Sequence, residues 1–141
     1  MAASRLEELF EASSPLARRL AAEEPFDSGE QMLARARELA GGLSEADRIA
    51  TLNAHPRIGE RAAAMSARSL QEQGAEMLPE LDRLNDEYER KFGFRFVVFV
   101  NRRPKPEIVE VLRLRLQNGR EQEQAAGLQA ILDIAADRMR S

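Results

Sequence analysis

The chain contains no cysteine and a single histidine, His55. The first absence excludes disulfide frameworks, thiolate zinc sites and thiol nucleophiles together. The second puts the usual catalytic zinc ligand sets out of reach, although a carboxylate-bound magnesium stays chemically open. Positive charge is not in surplus: 21 Lys and Arg face 24 Asp and Glu, for a formal net charge of -3. Binding a nucleic-acid backbone needs an excess cationic stripe to neutralise phosphates, so no nucleic-acid partner is expected.

Long apolar runs are missing as well. No 18-residue apolar stretch exists, and Met1-Ala2-Ala3-Ser4-Arg5-Leu6-Glu7-Glu8 lacks a basic region followed by an apolar core. Met139-Arg140-Ser141 is not a peroxisomal Ser-Lys-Leu tail. These features predict no membrane association and a cytoplasmic protein. No internal repeat of solenoid length is present either.

What is present reads as one globular domain over residues 1–141, with 43% hydrophobic and 32% charged residues. Ala, Leu, Glu, Arg and Gln dominate, and these favour helix. Short amphipathic helices are predicted over 4–12 and 15–22, the second opening on Pro15, whose missing N–H costs nothing at a first helical position. Ser28 with Gln31 has capping-box spacing for a helix ending at Gly41-Gly42. Ser44 with Asp47 starts another that must stop before Pro56.

Residues 57–68 are ambiguous. From Ser69, with Glu72 at the third helical position, a longer helix is predicted through Leu70, Met77, Leu81, Leu84 and Tyr88 to Phe92-Gly93. Helices over about 106–118 and 120–139 complete the set. The fold class is therefore all-α, a single multi-helix domain with one extended segment, Phe94-Arg95-Phe96-Val97-Val98-Phe99-Val100. No second strand-like run could pair with that segment, so its backbone groups need other partners. In the last helix the apolar stripe Leu128, Ile131, Ala135 continues onto Arg138. Either its stem packs while the guanidinium reaches water, or it is a buried cation awaiting an anion.

Proton chemistry near neutral pH points to His55, the side chain type with an ordinary pKa of about 6.5. Alone, a histidine at a helix end serves equally well as a capping or surface residue. Pro56 makes a phosphorelay role unsuitable, because it ends the helix that would display the ring. Ser69-x-x-Glu72 is equally well a capping box, and Phe92-Gly93-Phe94 would pass as core around a turn.

In order along the chain, His55-Pro56-Arg57-Ile58-Gly59, Ser69-x-x-Glu72-Gln73, Asn85-x-x-Tyr88-x-x-Lys91-Phe92-Gly93-Phe94-x-Phe96-Val97 and Arg115-Leu116-x-Asn118 form a specific combination. It resembles the 2-oxo-4-hydroxy-4-carboxy-5-ureidoimidazoline (OHCU) decarboxylase family of urate degradation. The resemblance implies an all-helical homodimeric enzyme, using no cofactor and no metal, that converts the small molecule OHCU into (S)-allantoin. It implies His55 and Glu72 as catalytic residues, with Pro56, Ser69, Gln73, Phe96, Val97, Val98 and Arg138 contacting substrate. One departure stands out: Arg95 occupies a position where the family commonly has proline, which would fix the backbone. Two other readings of the sequence are the same fold acting on a different ureido or imidazoline substrate, and a non-catalytic helical interaction module.

Overall fold

In the computed structural model, residues 6, 9–11, 14–57 and 79–140 are described. Among them are six helices and no strand: α1 (Pro15–Ala22), α2 (Gly29–Gly41), α3 (Glu45–Ala54), α4 (Pro79–Phe92), α5 (Lys105–Arg115) and α6 (Arg120–Arg140). Leu6, Leu9 and Phe10 are also helical, but Glu11 has φ 65°, so the helix expected through residue 12 stops before it. The predicted stretch from Ser69 to the start of α4 lies outside the described residues.

Local chemistry explains the boundaries. Ser14, Ser28 and Ser44 each accept a hydrogen bond from the backbone N–H three residues on, at Ala17, Gln31 and Asp47. A side-chain cap of this kind is worth about 1 kcal/mol because it satisfies a donor the helix cannot. At the far end of α4, Gly93 has φ 81° and donates to Glu89 O. Only glycine holds that left-handed geometry without Cβ strain. Helix α5 ends at Arg115, earlier than the expected 118, as single-turn bonds link Gln117 to Leu114 and Asn118 to Arg115.

Helices α2 and α3 both pack on α6, α1 packs on α2 and α3, and α5 lies on α4. The α6 stripe Leu128, Ile131 and Ala135 is buried, as its periodicity requires. Leu6, Leu9, Phe10, Leu16, Leu20, Met32 and Leu52 belong to the same core. Each such side chain contributes about 1.5–3 kcal/mol when removed from water. Between α3 and α6 there is no room for a side chain at Gly127, where an added Cβ would meet Leu52 Cδ2 at 2.5 Å.

Residues 95–100 run without regular structure between α4 and α5, and arginine side chains supply the partners no strand provides. Arg115 Nη1 donates to Val97 O at 2.8 Å, and Arg103 donates to Phe99 O and Val100 O. Arg95 N–H donates to Asn53 Oδ1 at 2.9 Å. Phe94 and Phe96 turn inward to rings from α4. Tyr88 meets Phe96 edge-on at 5.3 Å between centroids, and Phe92 stacks on Phe94 at 5.8 Å. Such pairs add about 0.5–1.5 kcal/mol each beyond the area they bury.

Candidate functional site

His55 follows the last residue of α3 and has left helical geometry, with φ -79° and ψ 140°. Pro56 dictates this, because its ring clashes with a helical residue before it. The turn swings the imidazole inward, leaving His55 only 3% exposed. Its Nε2 is buried and, among the described residues, makes no hydrogen bond. A buried polar nitrogen without a partner carries a desolvation penalty of order 1–3 kcal/mol, so it is held at a cost to stability.

Burial and then the nearby positive charge of Arg138 push the His55 pKa down to about 3. Both effects disfavour imidazolium. The ring is therefore neutral across the physiological range, and the lone-pair nitrogen is available as a base.

Arg138 itself is 1% exposed. The reading in which its guanidinium reaches water is thus corrected: the arginine is an interior cation. Its Nη1 donates to Leu9 O at 3.2 Å and to Glu11 Oε1 at 3.3 Å, so residues far upstream supply both an acceptor and a counter-charge. A cation placed here needs that compensation, since burying an unpaired charge costs many kcal/mol. His55 and Arg138 are 83 positions apart in sequence, yet the packing of α3 on α6 brings them into electrostatic contact.

The backbone around His55 is pinned from two sides. Arg95 Nη1 donates to Asn53 O at 3.1 Å, near the exposed end of α3, and to His55 O at 2.9 Å just past it. On the other side, Arg57 Nη2 donates to Asp82 O and Asp86 Oδ1 of α4 at 2.9 and 2.5 Å. With its backbone N–H on Asn53 Oδ1, Arg95 thus binds the segment directly to the histidine turn by three hydrogen bonds, none of which a proline, having neither N–H nor guanidinium, could make.

Of the other expected substrate contacts, Phe96 and Val97 are buried while Pro56 and Val98 are half-buried. Ser69, Glu72 and Gln73 lie outside the described residues. Among the described residues no group of three His, Asp or Glu side chains is placed to hold a metal ion. A separate groove of about 390 Å³ between α2, α3 and α6, bordered by Arg37, Arg48, Glu121 and Gln124, includes none of the expected site residues.

One polar centre was not anticipated from the sequence. Glu123, in the first turn of α6, is 0% exposed. Its Oε1 accepts from Tyr88 Oη at 2.6 Å and Arg115 Nε at 2.8 Å, and its Oε2 accepts from Asn118 Nδ2 at 2.7 Å. Tyr88, Arg115 and Asn118 all belong to the motif combination read from the sequence, and their convergence needs a buried acceptor. The phenol pKa is raised by burial and by its hydrogen bond to Glu123, so Tyr88 stays a donor. Arg115 then lies over the Phe96 ring at 4.7 Å while holding Val97 O. Through it, a carboxylate on α6 fixes the middle of the 95–100 segment.

A family model described as OHCU decarboxylase matches residues 1–140. Over 142 residues the chain is 34% identical to the uric acid degradation bifunctional protein PucL of Bacillus subtilis, a match covering 93% of this chain and 28% of that protein. A second bifunctional relative, from Bacillus sp. (strain TB-90), is likewise matched over 28% of its length. The chain therefore spans little more than a quarter of these relatives. It is 30% identical to the 2-oxo-4-hydroxy-4-carboxy-5-ureidoimidazoline decarboxylase of Halalkalicoccus jeotgali, across 94% of this chain and 79% of that one. A crystal structure of OHCU decarboxylase in the presence of (S)-allantoin shares the fold, with a TM-score of 0.73 over 96% of this chain and 94% of that chain at 24% identity.

Proposed function

Because the chain belongs to the OHCU decarboxylase family, we propose that it decarboxylates 2-oxo-4-hydroxy-4-carboxy-5-ureidoimidazoline to (S)-allantoin, with His55 as general acid and base. The observation that carries the reading is the buried imidazole whose Nε2 has no partner among the described residues, set beside a buried arginine. In this reading one domain over residues 1–141 does the chemistry, in the cytoplasm and as a homodimer, without a cofactor.

The substrate carries its own electron sink. As the bond from the ring carbon to the carboxylate breaks and CO2 leaves, the bonding pair moves toward the adjacent ring C=N, whose nitrogen takes up a proton. The resulting enol loses its hydroxyl proton and gains one at the ureido-bearing carbon. Neutral His55 is suited to accept the hydroxyl proton, assistance that usually contributes about 10²- to 10⁴-fold. The imidazolium so formed sits in the field of Arg138, which opposes it while the site is empty. The enolate oxygen left as that hydroxyl proton departs would offset the field, so the proton becomes easier to hold while the intermediate is bound.

Arg138 binds anionic or carbonyl oxygen by charge-assisted hydrogen bonds. Glu72 orients the proton exchange and the ureido group, with Ser69, Gln73, Pro56 and the Phe96, Val97 and Val98 segment completing the contacts. Apolar side chains at Phe96 and Val98 keep water from one face, so protonation on the other gives a single configuration.

The test is chiral. With OHCU generated in place from urate by the two preceding enzyme activities, circular dichroism should report fast formation of (S)-allantoin over the slow racemic background. His55→Ala should abolish the acceleration while leaving the helical spectrum intact. No acceleration by folded wild-type protein would overturn the reading and favour another ureido or imidazoline substrate.

A further inference from the structure

The end of α3 poses a specific problem. Its last carbonyls have no helical partners, yet the residue that follows must hold a buried imidazole in one orientation. Pro56 fixes the backbone after the ring, and Arg57 ties that side to α4. Before the ring, Arg95 does the equivalent work, reaching from a segment 40 positions away to Asn53 O and His55 O with one nitrogen, while its own N–H engages Asn53 Oδ1.

We propose that Arg95 and Asn53 form a strap that positions His55, so that Arg95 is a positioning residue for the proton transfer rather than a surface cation. The geometry is selective. Three hydrogen bonds converge on Asn53 and His55, two residues apart at the α3 end: one to the Asn53 side chain, one to its carbonyl and one to the carbonyl of the histidine itself. The guanidinium also places positive charge at a helix C-terminus, where the peptide dipoles favour it. The two N–H groups of Nη1 are held in the guanidinium plane and serve one carbonyl each, which a freely rotating lysine ammonium does with less directional control. The same segment is held at Val97 O by Arg115 and, through it, by Glu123. The strap therefore ties the His55 turn to a braced element.

The catalytic consequence rests on the decarboxylase reading, but the positioning claim has a readout of its own. His55 is the chain's only histidine, so its imidazole gives a single set of ring resonances in NMR. In wild-type protein these should not titrate between pH 5 and 8, because the ring stays neutral and buried. In Arg95→Met the freed turn lets the ring reach water, and a titration should enter that window, moving toward the ordinary value of about 6.5. With OHCU, the same variant should lose roughly 10- to 100-fold in kcat, the scale of an ångström-level misplacement, with KM within about threefold. Arg95→Lys should recover part of the loss.

Should Arg95→Met fail to fold, Arg95→Lys and Asn53→Ala each remove part of the strap and carry the same measurements. Folded variants whose ring remains silent from pH 5 to 8 would overturn the proposal. A wild-type protein inactive on OHCU would instead sink the decarboxylase reading, and the resonance would still decide the strap.

Discussion

His55 carries a thermodynamic signature that follows from its burial. In the unfolded chain its pKa is about 6.5, while in the folded protein burial and Arg138 lower it to about 3. Above pH 6.5 both states are neutral and the full stability is present. As pH falls toward 3, the unfolded chain takes up a proton the folded one refuses, and stability drops by up to about 1.4 kcal/mol per pH unit. His55→Gln removes this term and leaves every carboxylate in place. Urea unfolding of both proteins at pH 7, 5.5 and 4.5 should show wild type losing ground steadily to the variant, whereas parallel pH curves would contradict the burial. The residue's place at a helix exit was readable from Pro56, and its expected role only from the combination of motifs. That its Nε2 has no partner among the described residues was not readable, since a missing hydrogen bond has no sequence signature.

At the scale of elements, the helices followed from caps and periodicity. Ser28 with Gln31 and Ser44 with Asp47 form the bonds their spacing predicts, because capping is local. The 95–100 segment was recognisable as an unpaired run, but its partners were not. Arg115 reaches it from 18 positions away and Asn53 from 42, and contacts of that kind have no period. Glu123 was hidden for a related reason: in the first turn of a helix an acid is ordinarily a solvated, dipole-favoured residue. Only the joint need of Tyr88, Arg115 and Asn118 for an acceptor could have singled it out. Glu123→Ala leaves a largely buried arginine without its counter-charge, so chemical denaturation should show a loss of about 3 kcal/mol, the lower end for a buried pair. Glu123→Gln keeps some of the hydrogen bonds and should lose less. Equal losses would mean that charge is irrelevant there.

For the molecule as a whole, the spacing of α3 and α6 matters most, because one carries His55 to its place and the other carries Arg138. Gly127 sets that spacing against Leu52. Gly127→Ala gains up to about 1 kcal/mol in helix propensity but overpacks a buried contact, which costs about 1–3 kcal/mol. Thermal unfolding should therefore reveal net destabilisation, together with reduced turnover as the two site residues move apart. An unchanged melting temperature would show that Leu52 yields freely. The all-helical class was legible from composition, and the stripe marked Arg138 without deciding between water and the interior, while Ser69, Glu72 and Gln73, also expected at the site, lie outside the described residues. One further consequence comes from Arg138 and Leu9, which share a hydrogen bond across 129 positions. Helices can form from neighbouring residues, but this contact has to wait for distant segments to meet, the slow kind of event in folding. A partly assembled chain can thus be richly helical and still leave its imidazole open to water, so shielding of that ring is a late milestone, and watching it during refolding would time the completion of the molecule.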